Sequence, residues 1–369
     1  MDPDFTYTLD EKDLYMFFGN SSSYDDNSTY LCCPDPPCTF YNIQAFEEIF
    51  LPLFYTLIFI LGLCGNVMVL VVLLRAKESL PGTDVFILNL AVADVLLVMT
   101  LPFWAVQAVY HWIFGSALCK MVGGIFKINF YASILFLVCI SFDRYLSIVY
   151  VTRMYNRNKT TLILFSSLAV WVLCFLFTVP DFIFLDSRFD SRQNATFCSL
   201  NFASRSARQW KIGLRIFNLV VAFFLPLVAM VYCYIRVIIT LLHSKGFQKH
   251  KALKVILAVV VVFFLCWTPY HLVQFVDNLI DLEVLQEDCK QESRVDIAET
   301  ITTSLGFFHC CLNPLLYAFV GIKFRNRFLR LLKEVGCVSD QFLKRHARMA
   351  SHGRDSTWSE STEASYTGL

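Results

Sequence analysis

Asp143-Arg144-Tyr145 closes one long apolar run of this chain, and Asn313-Pro314-Leu315-Leu316-Tyr317 lies in the last one. Ionisable residues at the edge of a membrane helix are costly and mark function. Two such clusters, far apart in sequence, point to signalling across a membrane. A third constellation lies deeper. Asp94 stands mid-run in Leu90-Ala91-Val92-Ala93-Asp94, where a lone carboxylate needs partners or a cation. Asn129 and Ser133 are four apart and share one helix face, as do His309 and Asn313, and Asn66 is a further polar candidate. An oxygen-rich group of this kind suits a small hard cation. A water-filled polar network satisfies the same residues equally well.

Pro226, Pro269 and Pro314 fall inside the last three apolar runs. Each removes a backbone hydrogen bond and bends its helix. Cys266-Trp267-Thr268-Pro269 sets a large aromatic beside one of these bends, where a rotation would be felt at the far end of the helix.

These residues need long apolar helices to position them. The composition is 56% hydrophobic and 17% charged, more apolar than a soluble domain. Seven blocks reach the roughly 20 residues that span a bilayer: Phe50–Leu74, Asp84–Val109, Ala117–Val149, Thr160–Asp181, Gly213–Leu242, Ala252–Leu279 and Ile297–Val320. The expected fold is an all-α seven-transmembrane bundle. An amphipathic eighth helix, Lys323–Glu334, lies on the membrane face with Phe324, Phe328, Leu331 and Leu332 at helical spacing. Three regions follow: an acidic glycosylated tail over 1–48, the bundle with its eighth helix over 49–334, and a Ser/Thr-rich tail over 335–369 of disordered composition. The first residues show no cleavable signal peptide, so the first helix is expected to serve as signal anchor.

Lys and Arg follow alternate helices: Arg75 and Lys77, Arg153 to Lys159, Lys245 to Lys254, and Lys323 to Lys333. Those segments are therefore cytoplasmic, with the N-terminus outside and the C-terminus inside. Arg188, Arg192, Arg205 and Arg208 between the fourth and fifth helices run against the bias. The sequons at Asn20, Asn27 and Asn194 all fall outside, and the one at Asn158 falls inside. Cys32, Cys33, Cys38, Cys119, Cys198 and Cys289 are also outside, where disulfides persist. Sequence alone leaves their connectivity open. Cys337, beyond the amphipathic helix, can carry a palmitoyl chain or remain a free thiol.

Other classes lack their residues. There is no His-Glu-x-x-His, no lysine between Ile297 and Val320, no carboxylate mid-helix 3 and no duplicated half. The chain is expected not to be an enzyme, and nothing in it points to nucleic acid.

With these residues in view, Phe50–Glu334 resembles a rhodopsin-like (class A) G-protein-coupled receptor. The likeness rests on Gly65-Asn66-Val67, Leu90–Asp94, Asp143-Arg144-Tyr145, Trp171, Pro226, Tyr234, Cys266–Pro269 and Asn313–Tyr317. Thr100-Leu101-Pro102-Phe103-Trp104, Asp143–Val149 and His309–Pro314 resemble chemokine receptors within that class. Ser21–Asp25, Cys32-Cys33, Pro36-Pro37-Cys38, Pro180–Leu185, Glu292–Asp296 and Trp358–Tyr366 resemble one subtype of CXC chemokine receptor.

The resemblance implies roles. Arg144 would engage a heterotrimeric G protein, of inhibitory class, with Asp143 restraining it at rest and Tyr145 beside it; Tyr234 and Tyr317 would support the open cytoplasmic face. Ile134, Pro226 and Phe263 would connect the ligand end to that face, with Trp267, Pro269, Asn313 and Pro314 as switch elements. Asp94, Asn129, Ser133, His309 and Asn313 would hold sodium, with no other cofactor required. Cys119–Cys198 and Cys38–Cys289 would be the disulfides. Ser356, Thr357, Ser359, Ser361, Thr362 and Ser365 would be targets of receptor kinases, creating charge for arrestin.

The ligand would be a basic CXC chemokine of the interferon-inducible group, steered by acids. Asp25 and Asp26 on the tail, Asp277 on helix 6 and Asp296 on helix 7 belong to that field, and Tyr24 is a sulfation candidate. Trp104, Tyr110, Phe126, Lys127, Tyr131, Asp181, Tyr270 and Thr303 would line the bundle mouth. The expected outputs are calcium signalling and chemotaxis from the plasma membrane, with homo- or hetero-dimerisation left open. A chemokine scavenger that signals through arrestin without G protein is the alternative, against which the intact Asp-Arg-Tyr speaks. Three positions depart from pattern: Lys249 replaces an acid that locks the arginine in some relatives, Thr303 replaces a common glutamate, and Lys127 adds a cation not expected in the subtype.

Overall fold

A computed structural model describes residues 41–75, 82–150, 153–190, 194–202, 206–243, 249–285, 289–320 and 322–334. The described residues form helices α1 (Tyr41–Leu74), α2 (Gly82–Tyr110), α3 (Gly115–Ile148), α4 (Arg153–Phe184), α5 (Ala207–Leu242), α6 (Lys249–Asp281), α7 (Cys289–Val320) and α8 (Ile322–Glu334). The first six are apolar and long enough to cross a membrane. The seventh has 32 residues, and Arg294, Asp296 and Glu299 dilute its N-terminal half. The expected spans all fall within these helices apart from Val149, which caps α3. The helices run past the apolar blocks because their backbone hydrogen bonds continue where the hydrocarbon ends.

α3 is the most buried span and touches α2, α4, α5 and α6. Ile58, Leu97, Leu101, Ile134 and Phe136 form part of a continuous core. Apolar residues also cover the outside, so packing rather than water exclusion holds the helices together. Small residues set the closest approaches. A Cβ on Gly62 would lie 2.7 Å from Val98, and one on Gly65 would lie 3.0 Å from Pro314. α1 thus seats against α2 and α7 at two glycines. Trp171 of α4 donates its indole N–H to Asn89 of α2 at 2.9 Å.

α5 is not uniform. Val220–Phe224 form one π-helical turn, and the Leu225 N–H reaches back to Val220 O. Pro226 follows at once and has no N–H to continue the ordinary ladder. The wider turn absorbs that loss.

The segment between α4 and α5 contains a hairpin that the span pattern did not reveal. β1 (Leu185–Asp190) pairs antiparallel with β2 (Ala195–Leu200), Leu185 opposite Leu200 and Asp190 opposite Ala195. Asn194 lies exposed at the turn with φ of 51°, a left-handed conformation that asparagine tolerates.

Candidate functional site

One end of the bundle carries the Asp-Arg-Tyr segment. Arg144 donates to the Thr83 hydroxyl at the start of α2, and that hydroxyl donates to Asp143 Oδ2 at 2.9 Å. One buried threonine therefore engages both charged residues. Arg144 Nε has no hydrogen-bond partner. Tyr145 packs among Phe142, Tyr150 and Tyr232. Tyr234 of α5 is buried, with its hydroxyl 3.1 Å from Ser141 Oγ one turn before Arg144. Arg327 of α8 pairs with Asp84 of α2 at 2.7 Å and fixes the eighth helix to this end. Tyr317 and Lys249 lie on described helices, but their side chains are outside the described residues.

The middle of the bundle is polar around Asp94, which is fully buried. Asn313 donates to its Oδ2 at 2.9 Å, and Asn129 to its Oδ1 at 3.4 Å. Asn66 donates to Gly62 O at 2.9 Å and Cys310 O at 3.0 Å. Three buried polar atoms of the expected group have no partner: Asn66 Oδ1, Ser133 Oγ and His309 Nε2. Unpaired oxygens beside a buried carboxylate fit a small hard cation or water. His309 turns toward Gly306 O and the rings of Phe263 and Trp267.

Above lies an aromatic column. Phe263 meets Trp267 with ring centroids 6.2 Å apart, and Trp267 meets Phe130 at 4.7 Å, Tyr270 at 5.6 Å and Phe307 at 6.4 Å. Ile134 and Phe263 belong to the continuous core, and Pro226 is buried on α5. A Cβ on Gly306 would lie 2.9 Å from the Trp267 ring, so only glycine lets the indole lie against α7. Pro269 and Pro314 lie inside α6 and α7, with Pro269 between the column's Trp267 and Tyr270.

The opposite end is closed by the hairpin. Cys119 of α3 is bonded to Cys198 of β2, 79 residues away. The Cys198 N–H donates to Gln107 of α2 at 2.9 Å, and the Trp112 N–H donates to Thr196 O at 2.7 Å. Trp112 is buried against Cys119, Val122, Leu185 and Cys198. Lys120 donates to the last carbonyls of α4, at 3.1 Å for Phe182. A hydrogen bond from Ser116 holds the Asp186 carboxyl below its usual range. The Cys38–Cys289 pairing lies outside the described residues, as do Asn20, Tyr24, Asp25, Asp26, Asn27, Cys337 and the serines and threonines from Ser356 onward.

The expected ligand contacts that the structure describes differ in exposure and partners. Phe126 and Phe307 meet edge to face at 5.0 Å, and Trp104 lies 5.8 Å from Trp112. Lys127, Tyr270, Asp296 and Thr303 are half-buried, and Asp181 is buried. Tyr131 is fully buried between Phe130 and Phe177 and donates its hydroxyl to Asn218 of α5, so it ties two helices together. Tyr110 is 69% exposed at the end of α2. Asp277 is ion-paired: Arg215 of α5 pairs with it, and with Asp281 at 2.8 Å. Lys211 joins the cluster at 3.1 Å from Asp281. Arg215 and Lys211 carry no motif, and Thr83 and Gly306 give no local signal, so sequence reasoning passed over all four.

The sequence model of the 7 transmembrane receptor (rhodopsin family) matches residues 65–317. The chain is 52% identical over 356 residues to the C-X-C chemokine receptor type 3 of Capra hircus, covering 96% of this chain and 95% of that one. It is 51% identical over 352 residues to the human C-X-C chemokine receptor type 3, covering 95% and 94%. The human C-C chemokine receptor type 4 is 41% identical over 314 residues, 85% of this chain and 86% of that one. The chain belongs to the chemokine receptors of the rhodopsin family. As a chemokine receptor it is a non-enzymatic, multi-pass membrane protein. The sequence stretches from Ser21 to Tyr366 that resemble one CXC subtype agree with the type 3 likeness.

Proposed function

We propose that this receptor stands in the plasma membrane with its N-terminus outside, binds CXC chemokines of the interferon-inducible group, and activates an inhibitory heterotrimeric G protein. The observation that carries the reading is the Thr83 hydroxyl shared by Asp143 and Arg144. It holds the coupling arginine by hydrogen bonds that an inserted partner can replace. A ligand shifts such a bundle only through its differential affinity for the two arrangements. The column from Tyr270 through Trp267 to Phe263 supports transmission between the ends.

Calcium release and chemotaxis follow as outputs, and receptor kinases and arrestin end the signal. Sodium at Asp94, with oxygens from Ser133 and the neighbouring amides, favours the resting arrangement. Asn20, Asn27 and Asn194 carry glycans, Tyr24 carries sulfate, and Cys337 carries an acyl chain. Dimers, with itself or with a relative, are compatible with the exposed apolar helix faces.

The test is chemokine-induced fall in stimulated cyclic AMP in cells expressing the full chain, with Arg144→Ala as control. A response to the interferon-inducible group that the variant loses supports the reading. Uptake of those chemokines with no G-protein signal replaces it by the scavenger, and response only to other chemokines rejects the ligand group.

A further inference from the structure

Lys127 is an intramembrane cation without an ion pair. Among the described residues no carboxylate lies within 4.0 Å of its Nζ and no hydrogen bond engages it. Its ammonium instead lies 5.8 Å from the Phe126 ring centroid and 5.5 Å from that of Phe130. Contacts of this kind contribute modestly and leave the N–H donors unused.

Its surroundings are built to receive something. Lys127 and the His271 imidazole on α6 share the Phe130 ring, the ammonium 5.5 Å and the imidazole centroid 6.0 Å from its centroid, and the Lys127 charge acts on both His271 and Asp181 of α4. His271 is 4% exposed, packs against Phe130, Phe223 and Tyr270, and its Nε2 has no partner. A buried unpaired nitrogen near an unpaired ammonium is costly twice over. One occupant relieves both: a group that only accepts hydrogen bonds and carries negative charge. Asp181 is the nearby acid yet stays beyond ion-pairing distance, so it does not fill that role.

We infer that Lys127 and His271 form an anion-accepting subsite between α3 and α6, and that it takes a carboxylate borne on an apolar or aromatic group. The neighbouring Phe126, Phe130 and Tyr270 rings suit the apolar part. The inference deepens the receptor reading, since it rests on ligand entering the bundle from the hairpin end. It says what part of that ligand this chain selects: an acidic side chain or terminus, held by Lys127 against the repulsion of Asp181.

The probes are phenylacetate and its uncharged isostere phenylacetamide, added to purified full-length receptor and followed by saturation-transfer NMR and thermal shift. No chemokine is present, so failure here is distinct from failure of the signalling assay. Phenylacetate is expected to bind and stabilise, with phenylacetamide about tenfold weaker or more. Lys127→Gln removes the preference, Lys127→Arg keeps it, and Asp181→Asn strengthens it. Should Lys127→Gln not fold, Lys127→Met combined with Asp181→Asn takes its place. Equal binding of the two probes, or a preference that survives loss of the Lys127 charge, overturns the inference.

Discussion

Thr83 Oγ1 accepts from Arg144 and donates to Asp143, so a single hydroxyl on α2 holds the end of α3 in place. Losing a hydrogen bond to a charged group costs about 1.5–3 kcal/mol, and each 1.4 kcal/mol is about tenfold in an equilibrium. Thr83→Val is therefore expected to raise ligand-free nucleotide exchange on the G protein by roughly tenfold or more. Basal GTPγS binding in membranes checks this. Unchanged basal exchange would mean that Thr83 does not restrain Arg144.

Gly306 and Gly213 make opposite predictions. A Cβ at Gly306 meets the Trp267 ring at 2.9 Å, whereas one at Gly213 meets nothing within 4 Å. Gly306→Ala is expected to lower stability by about 1–3 kcal/mol through overpacking and to displace Trp267. Gly213→Ala is expected to be neutral, or stabilising by up to about 1 kcal/mol through helix propensity. Thermal unfolding of the two purified variants, with tryptophan fluorescence for the first, separates them.

Sodium dependence follows from the proposal at Asp94. Replacing sodium by a bulky organic cation is expected to raise agonist affinity in the native receptor. Asp94→Asn should abolish that response, because it removes the only buried charge among the described oxygens of the site. Ser133→Ala should weaken it. Radioligand competition at several sodium concentrations makes the measurement, and an Asp94→Asn receptor that still responds to sodium contradicts the assignment.

The Arg215, Lys211, Asp277 and Asp281 cluster links α5 to α6, and its Arg215 and aspartate side chains are at most 20% exposed. Removing one partner of such a network leaves charge uncompensated. Arg215→Ala is expected to destabilise the receptor by about 1–3 kcal/mol. It also leaves the two carboxylates with Lys211 as their remaining cation, a gain of one net negative charge that should speed association of a basic chemokine at low salt. Arg208 with Glu283, both well exposed at 2.9 Å, should contribute under about 1 kcal/mol. Thermal stability of the single variants and stopped-flow association rates test the contrast.

The spans, the Asp-Arg-Tyr segment and the polar residues around Asp94 were legible from residue types and spacing. Apolar length and buried polarity are local properties, and α2 at Gly82–Tyr110 lies close to the expected Asp84–Val109. The disulfide Cys119–Cys198 followed the family resemblance and stands in the structure. Tertiary structure alone decided the rest. Thr83 lies 60 residues before Asp143, and Arg215 lies 66 before Asp281. No periodicity reports which side chains distant elements bring together. The pairing of Asp277 with Arg215 left no trace in the sequence because the two lie on different helices. The hairpin was hidden because antiparallel pairing depends on the Cys119 anchor and on Trp112, not on the alternation of its own short strands. Lys127 stood out by its type alone, but only the packing of α3 against α6 brought it and the unpartnered His271 to the same Phe130 ring.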